Sequence, residues 1–318
     1  MRLRNRALIA VVGTAAVMLT GMPTAAAATV TVGAAAQLTS ALAAANPGTV
    51  IELAANTTFT GNFTAAKSGT SSGRITLRGP RSAVLKTSGG RGLELTGSYW
   101  TIDGFTVAGG KKGLMALGVK NTLVNNGDRH RPRRHPPAPT ASCRTPRSPI
   151  RAEYGGYGKG IYVGSAKSNR PGGTPDRSDR NKALNNKIGP NVRAESIDIK
   201  EGTTGGELSG DIFDGSGQSG ENSADSWVDI KGNGYLIKNN KGSKVLVHDA
   251  TYGGFELHVQ LTGWGENYTF AGNASDPQSP YAYGFYLAKT GLGNKICASN
   301  TVSGAGKGFA SAASTTGC

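Results

Sequence analysis

Two short segments carry the residue types best suited to chemistry: 195–201 (ESIDIKE) and 226–232 (SWVDIKG). Both alternate with a period of two. Ile197 and Ile199 match Val228 and Ile230, Asp198 matches Asp229, and Lys200 matches Lys231. On a strand, such alternation sends the isoleucines to one face and the Asp–Lys pair to the other. A carboxylate beside a lysine can hold a cation and take up a proton, which suits metal-assisted base chemistry.

The same pattern recurs along the chain as GLELTG at 92, GLMALG at 113, GIYVGS at 160, SIDIKE at 196, WVDIKG at 227, GFELHV at 254 and GFYLAK at 284. The starts are 21, 47, 36, 31, 27 and 30 residues apart, which suits one turn of a solenoid each. No single turn can bury its own apolar side, so neighbours must stack. The expected fold is therefore all-β, a right-handed parallel β-helix; a β-sandwich is the alternative. Stacking puts Glu94, Met115, Tyr162, Asp198, Asp229, Glu256 and Tyr286 in one outward column. Thr96, Leu117, Gly164, Lys200, Lys231, His258 and Ala288 form a second. Carboxylates about 4.8 Å apart repel each other. A bound cation relieves that repulsion, and oxygen ligands suit calcium. Asp198, Asp229 and Glu256 are thus candidate ligands, flanked by Glu195 and Glu201. The bland competitor is a row of solvated Asp–Lys pairs with no function.

Other segments frame this array. Residues 34–45 (AAAQLTSALAAA) read as a helix stopped by Asn46-Pro47-Gly48, and would cap the N-terminal end of the core. Asn-rich pieces at 121–126, 182–188 and 235–240 follow several repeats and predict amide ladders at turns. The interval of 47 predicts two turns, one of them near position 135. What stands there is a Pro- and Arg-rich stretch, Asp128–Arg151, with six of the chain's 14 Pro. It breaks the pattern, and we read it as translated out of frame; a disordered basic insertion is the alternative.

The N-terminus places Arg2, Arg4 and Arg6 before an apolar run and an Ala-rich site, the layout of a secretory leader over 1–28. The remaining 29–318 predicts one exported domain that does not span a membrane. The net charge is +15; the leader's three Arg reduce it to +12, and Asp128–Arg151 accounts for +6 of that. A modestly basic exported protein suits an acidic polysaccharide. Aromatic–basic interleaving is missing, which argues against nucleic acid. A monomer is expected. Of three cysteines, Cys297 and Cys318 are placed to staple the last coil, contributing about 3 kcal/mol, which leaves Cys143 over.

Residues 36–53, 68–80 and 93–107 resemble the first coils of the right-handed parallel β-helix polysaccharide lyases, specifically the alginate and chondroitin lyases of polysaccharide lyase family six. More distantly, the chain resembles β-helix pectate lyases. Segment 195–202 is similar to the family-six motif in which a Glu binds calcium and a Lys five residues on is the base; Glu195 and Lys200 hold those positions. The resemblance implies a calcium-assisted β-elimination on a uronic-acid polymer. It makes Lys200 the base and Glu195, Asp198 and Asp229 calcium ligands, with Glu256 as a further acid. Lys231 and His258 would contact the substrate carboxylate or help the leaving oxygen. The family's arginine, one coil after the lysine, has no clear match, and Lys231 is the nearest stand-in. Alternatives are a noncatalytic glycan-binding β-helix and a glycoside hydrolase; Asp211 and Asp214 keep the latter open.

Overall fold

The computed structural model describes residues 28–87, 89–125, 149–152, 158–170, 174–219, 225–247, 252–312 and 318. Residues 1–27 of the leader, Cys143 and most of Asp128–Arg151 lie outside the described residues. Strands assemble into three long parallel sheets of ten, nine and nine strands, so each coil gives one strand to each sheet. This is the parallel β-helix, with right-handed crossovers. The helix Ala35–Ala44 covers the N-terminal end and buries Leu38 and Leu42. Among the described residues no helix is long and apolar enough to cross a membrane.

The inward positions of the repeat build the core. Phe213, Trp227, Phe255, Phe270 and Phe285 are fully buried. Phe255 and Phe285 stack at 5.2 Å, and Trp227 meets Phe255 edge-on at 5.6 Å. The repeated glycine opens space for these rings: a Cβ on Gly254 would come within 2.3 Å of Trp227. Trp227 is therefore a packing residue. The predicted disulfide joins Cys297 to Cys318.

A buried polar ladder runs through one corner. The Asn186 side chain donates to Asp211 Oδ1 at 2.8 Å, and the Asp211 N–H to Asn240 Oδ1 at 2.8 Å. Asn240 donates to Asn273 at 3.0 Å and Asn273 to Asn300 at 2.9 Å. Each amide satisfies backbone groups that the turn leaves unpaired. Asp211 thus serves the ladder, which removes one of the two carboxylates that kept a hydrolase open. Asn273→Ala is expected to lower stability by about 1–3 kcal/mol, because it strands buried groups on two coils. Urea midpoints of the variant and the parent check this.

One expectation is overturned. The interval of 47 is one turn, not two: Leu114 pairs directly with Ile161, and Val124 with Ala183. In the third sheet the strand Pro149–Ala152 sits between Thr106–Gly109 and Lys187–Val192. No coil is lost. The extra residues are inserted within a single coil, because loop length does not count turns; strand register does.

Candidate active site

The functional side chains sit on one nine-stranded sheet. Its register aligns Glu94, Met115, Tyr162, Asp198, Asp229, Glu256 and Tyr286 as successive partners, the column expected from the repeat. The backbone N–H of Lys200 donates to Val163, that of Lys231 to Ile199 and that of His258 to Ile230, which sets the second column beside the first. Both columns follow from the period of two.

Asp198 is the hub. It is fully buried, and three ammoniums reach it: Lys159 at 2.8 Å, Lys200 at 2.8 Å and Lys231 at 3.2 Å. Burial opposes its charge, but Lys159, Lys231 and Lys200 outweigh that and hold its carboxyl well below the usual range. Lys159 also binds Glu195, and Lys231 also binds Asp229. Burial is the larger influence on Glu195 and raises it despite Lys159. Asp229 accepts from His258 Nδ1 at 2.9 Å. Burial lowers His258, but the Asp229 contact prevails and raises it above the ordinary imidazole value.

Tyr162 lies one coil before Asp198, with two lysines against its ring. Lys112 Nζ is 4.1 Å from the ring centroid and Lys200 Nζ 5.1 Å. Burial and Asp198 raise the phenol, so it stays protonated. Lys112 has no carboxylate within ion-pair distance among the described residues. Burial, reinforced by Arg91, pulls it down to about 8.

Glu195, Asp198 and Asp229 each bring a carboxylate oxygen within 4.8 Å of the others, so this triad could bind a metal ion. The donor chemistry is right, but the charge is already offset. Lys159, Lys200 and Lys231 hold these carboxylates. Glu256 stands one coil further on. It accepts the Gly253 N–H at 2.7 Å, and burial with Asp225 raises it well above the carboxylate range.

Among solved structures, the chain is similar to the alginate lyase from Paenibacillus sp. str. FPU-7. Identity is 31%, the match covers 91% of this chain and 97% of that one, and the TM-score is 0.62. The chain belongs to the parallel β-helix polysaccharide lyases. The pectate lyase Pel9A shares the fold at 15% identity, covering 87% of this chain and 73% of that one with a TM-score of 0.52. No protein-family model and no curated protein matches the sequence.

The fold of this lyase brings Lys200, Lys231, Glu195, Asp198 and Asp229 into one network and sets His258 at its edge. Lys231 is buried and bound to Asp198 and Asp229. Glu201, beside the motif, binds Arg170 at 3.2 Å and the backbone of Lys167, fixing the loop after Val163. Sequence reasoning missed the roles of Lys112, Lys159 and Asp225 in this network. Asp225 is pushed up to about 7 by burial and Asp229. A signal for the lysines exists: Arg91, Lys112 and Lys159 each stand just before the glycine of a repeat, and the register stacks them. Asp225 has no such signal, since it precedes its repeat in an irregular segment.

Proposed function

We propose that the lyase cleaves a 1,4-linked uronan by β-elimination, with Lys200 removing the C5 proton. The observation that carries this is the pair of lysines on Tyr162: one ammonium bound to Asp198, the other without a carboxylate. C5 of a uronate lies next to a carboxylate, so its proton leaves only if the growing enolate charge is met. Lys112 is free of an acid partner and suits that carboxylate. Lys200 acts in its neutral amine form: its nitrogen lone pair takes the C5 proton, the C5–H electrons form the C4–C5 double bond, and the C4–O bond breaks. The departing oxygen needs a proton from a group close to the base. His258 is two coils from Lys200, about 10 Å along the axis. Tyr162 is one coil away and keeps its proton, so we assign it that step. His258, at the edge and raised by its contact with Asp229, is left to meet the carboxylate of a neighbouring sugar.

Alginate is the favoured substrate, from the name of the 31% identical relative. The leader at 1–28 supports export. We route no step through calcium, whose charge the lysines already supply. The test is ultraviolet detection of unsaturated uronide from alginate, pectate, chondroitin and glucuronan, with and without a chelator. We expect product on alginate that survives chelation. No product on any uronan overturns the catalytic reading in favour of a noncatalytic glycan-binding β-helix. A loss restored by calcium returns the triad to metal binding.

Lys112 gives a pH dependence. Its ammonium binds the substrate carboxylate, and its value falls from 10.5 to about 8 in the free protein. Above that pH the charge is lost, so kcat/KM is expected to fall above pH about 8. Lys112→Arg keeps its charge throughout and should remove that limb. Lys112→Ala should lower kcat/KM by about tenfold to a hundredfold, the worth of one charge-assisted hydrogen bond. A limb unchanged in the arginine variant assigns the titration to another group.

A further inference from the structure

We propose that Tyr286, Tyr252 and Tyr283 form a noncatalytic subsite, a platform for a pyranose ring of the same uronan chain, three coils from Lys200. The inference rests on the lyase reading above and extends it. The sheet register carries the column from Asp198 through Asp229 and Glu256 to Tyr286. At about 4.8 Å per coil, Tyr286 stands about 14 Å along the axis from Asp198. The outward column changes chemistry there: acids end and aromatics begin.

The rings are staggered. Tyr252 and Tyr286 are nearly parallel with centroids 4.9 Å apart, and Tyr283 and Tyr286 with centroids 6.4 Å apart. With ring planes about 3.5–4 Å apart, the lateral offsets are about 3 and 5 Å, so part of each face stays uncovered. Tyr252 is 40% exposed, among the most exposed large apolar side chains described. Tyr286 is seated by its neighbour coil: a Cβ on Gly253 would come within 2.9 Å of its Cβ. The Gly253 N–H is the donor to Glu256, which ties this seat to the acid column. Lys307 Nζ lies 6.0 Å from the Tyr283 centroid and brings a cation to the platform's edge. A uronate ring has one apolar C–H face and one anionic edge, the complement of tyrosines beside a lysine. Continuity with the catalytic column makes a sugar of the bound polymer the occupant.

The test compares Tyr286→Ala, Tyr252→Ala and Tyr286→Trp with the parent on saturated alginate oligomers, from trisaccharides to decasaccharides. Cleavage is followed in the ultraviolet, and affinity is measured by calorimetry with Lys200→Ala in each background. We expect the alanine variants to lose up to about tenfold in affinity and kcat/KM for long oligomers, with a loss that grows with chain length. The tryptophan variant should keep the parent's length dependence. An equal loss at every length, or no loss, overturns the subsite. So does a change of sedimentation in Tyr286→Ala without a change in sugar affinity, which would assign the face to contact between copies. If the parent cleaves no uronan, the lyase reading fails separately. Calorimetry then decides the platform alone: it stands if ring removal weakens oligomer binding, and falls if the parent binds none.

Discussion

Lys200→Ala is expected to lower kcat by about 10²- to 10⁴-fold on the preferred uronan, the range for losing a positioned proton-transfer group. Melting temperature should hold, because Asp198 keeps Lys159 and Lys231 as partners. The effect should fall on kcat more than KM, since the proton moves only in the transition state. Lys112→Ala is expected to differ in kind, acting on carboxylate binding and on the pH limb. Retained turnover in Lys200→Ala would move the base, with Lys112 as the next candidate by position. Circular dichroism and steady-state kinetics on both variants separate these outcomes.

Asp198→Asn should produce the largest loss of stability. The carboxylate is buried and offsets three ammoniums, and the amide would leave them facing one another. Breaking a buried pair by removing one partner costs about 3–5 kcal/mol. The pH dependence has a definite sign. The folded value is depressed, so the contribution is present above the unfolded value of about 3.9 and is lost as pH falls through the lower folded value. The gap in melting temperature between the parent and Asp198→Asn is therefore expected to be full at neutral pH. It should narrow only in strong acid. A gap that closes already near pH 5 would show that the lysines do not hold the carboxylate charged.

Much of the site could be read from the repeat. A period of two fixes which side chains face outward, and stacking then fixes their neighbours. Asp198, Asp229 and Glu256 met as expected because parallel register preserves repeat position. The same logic placed Tyr162 and Tyr286 in the column, though it gave neither a catalytic role. It failed between Leu114 and Ile161, where an insertion mimicked the length of an extra coil. It also passed over Lys112, which stands before the repeat's glycine and outside the alternating positions.

The sequence by itself determined the β-helix, the helix over its N-terminal end, the Cys297–Cys318 bridge and the two outward columns. Those follow from alternation and spacing, which are local properties of the chain. Only the tertiary structure decided how the charges are shared. Ion pairing depends on where long lysine side chains end, and Lys159 crosses from its own coil to Glu195 and Asp198 on the next. That crossing turned an acidic column that called for a cation into one already neutralised by lysines. It left Lys112 without a carboxylate at ion-pair distance among the described residues.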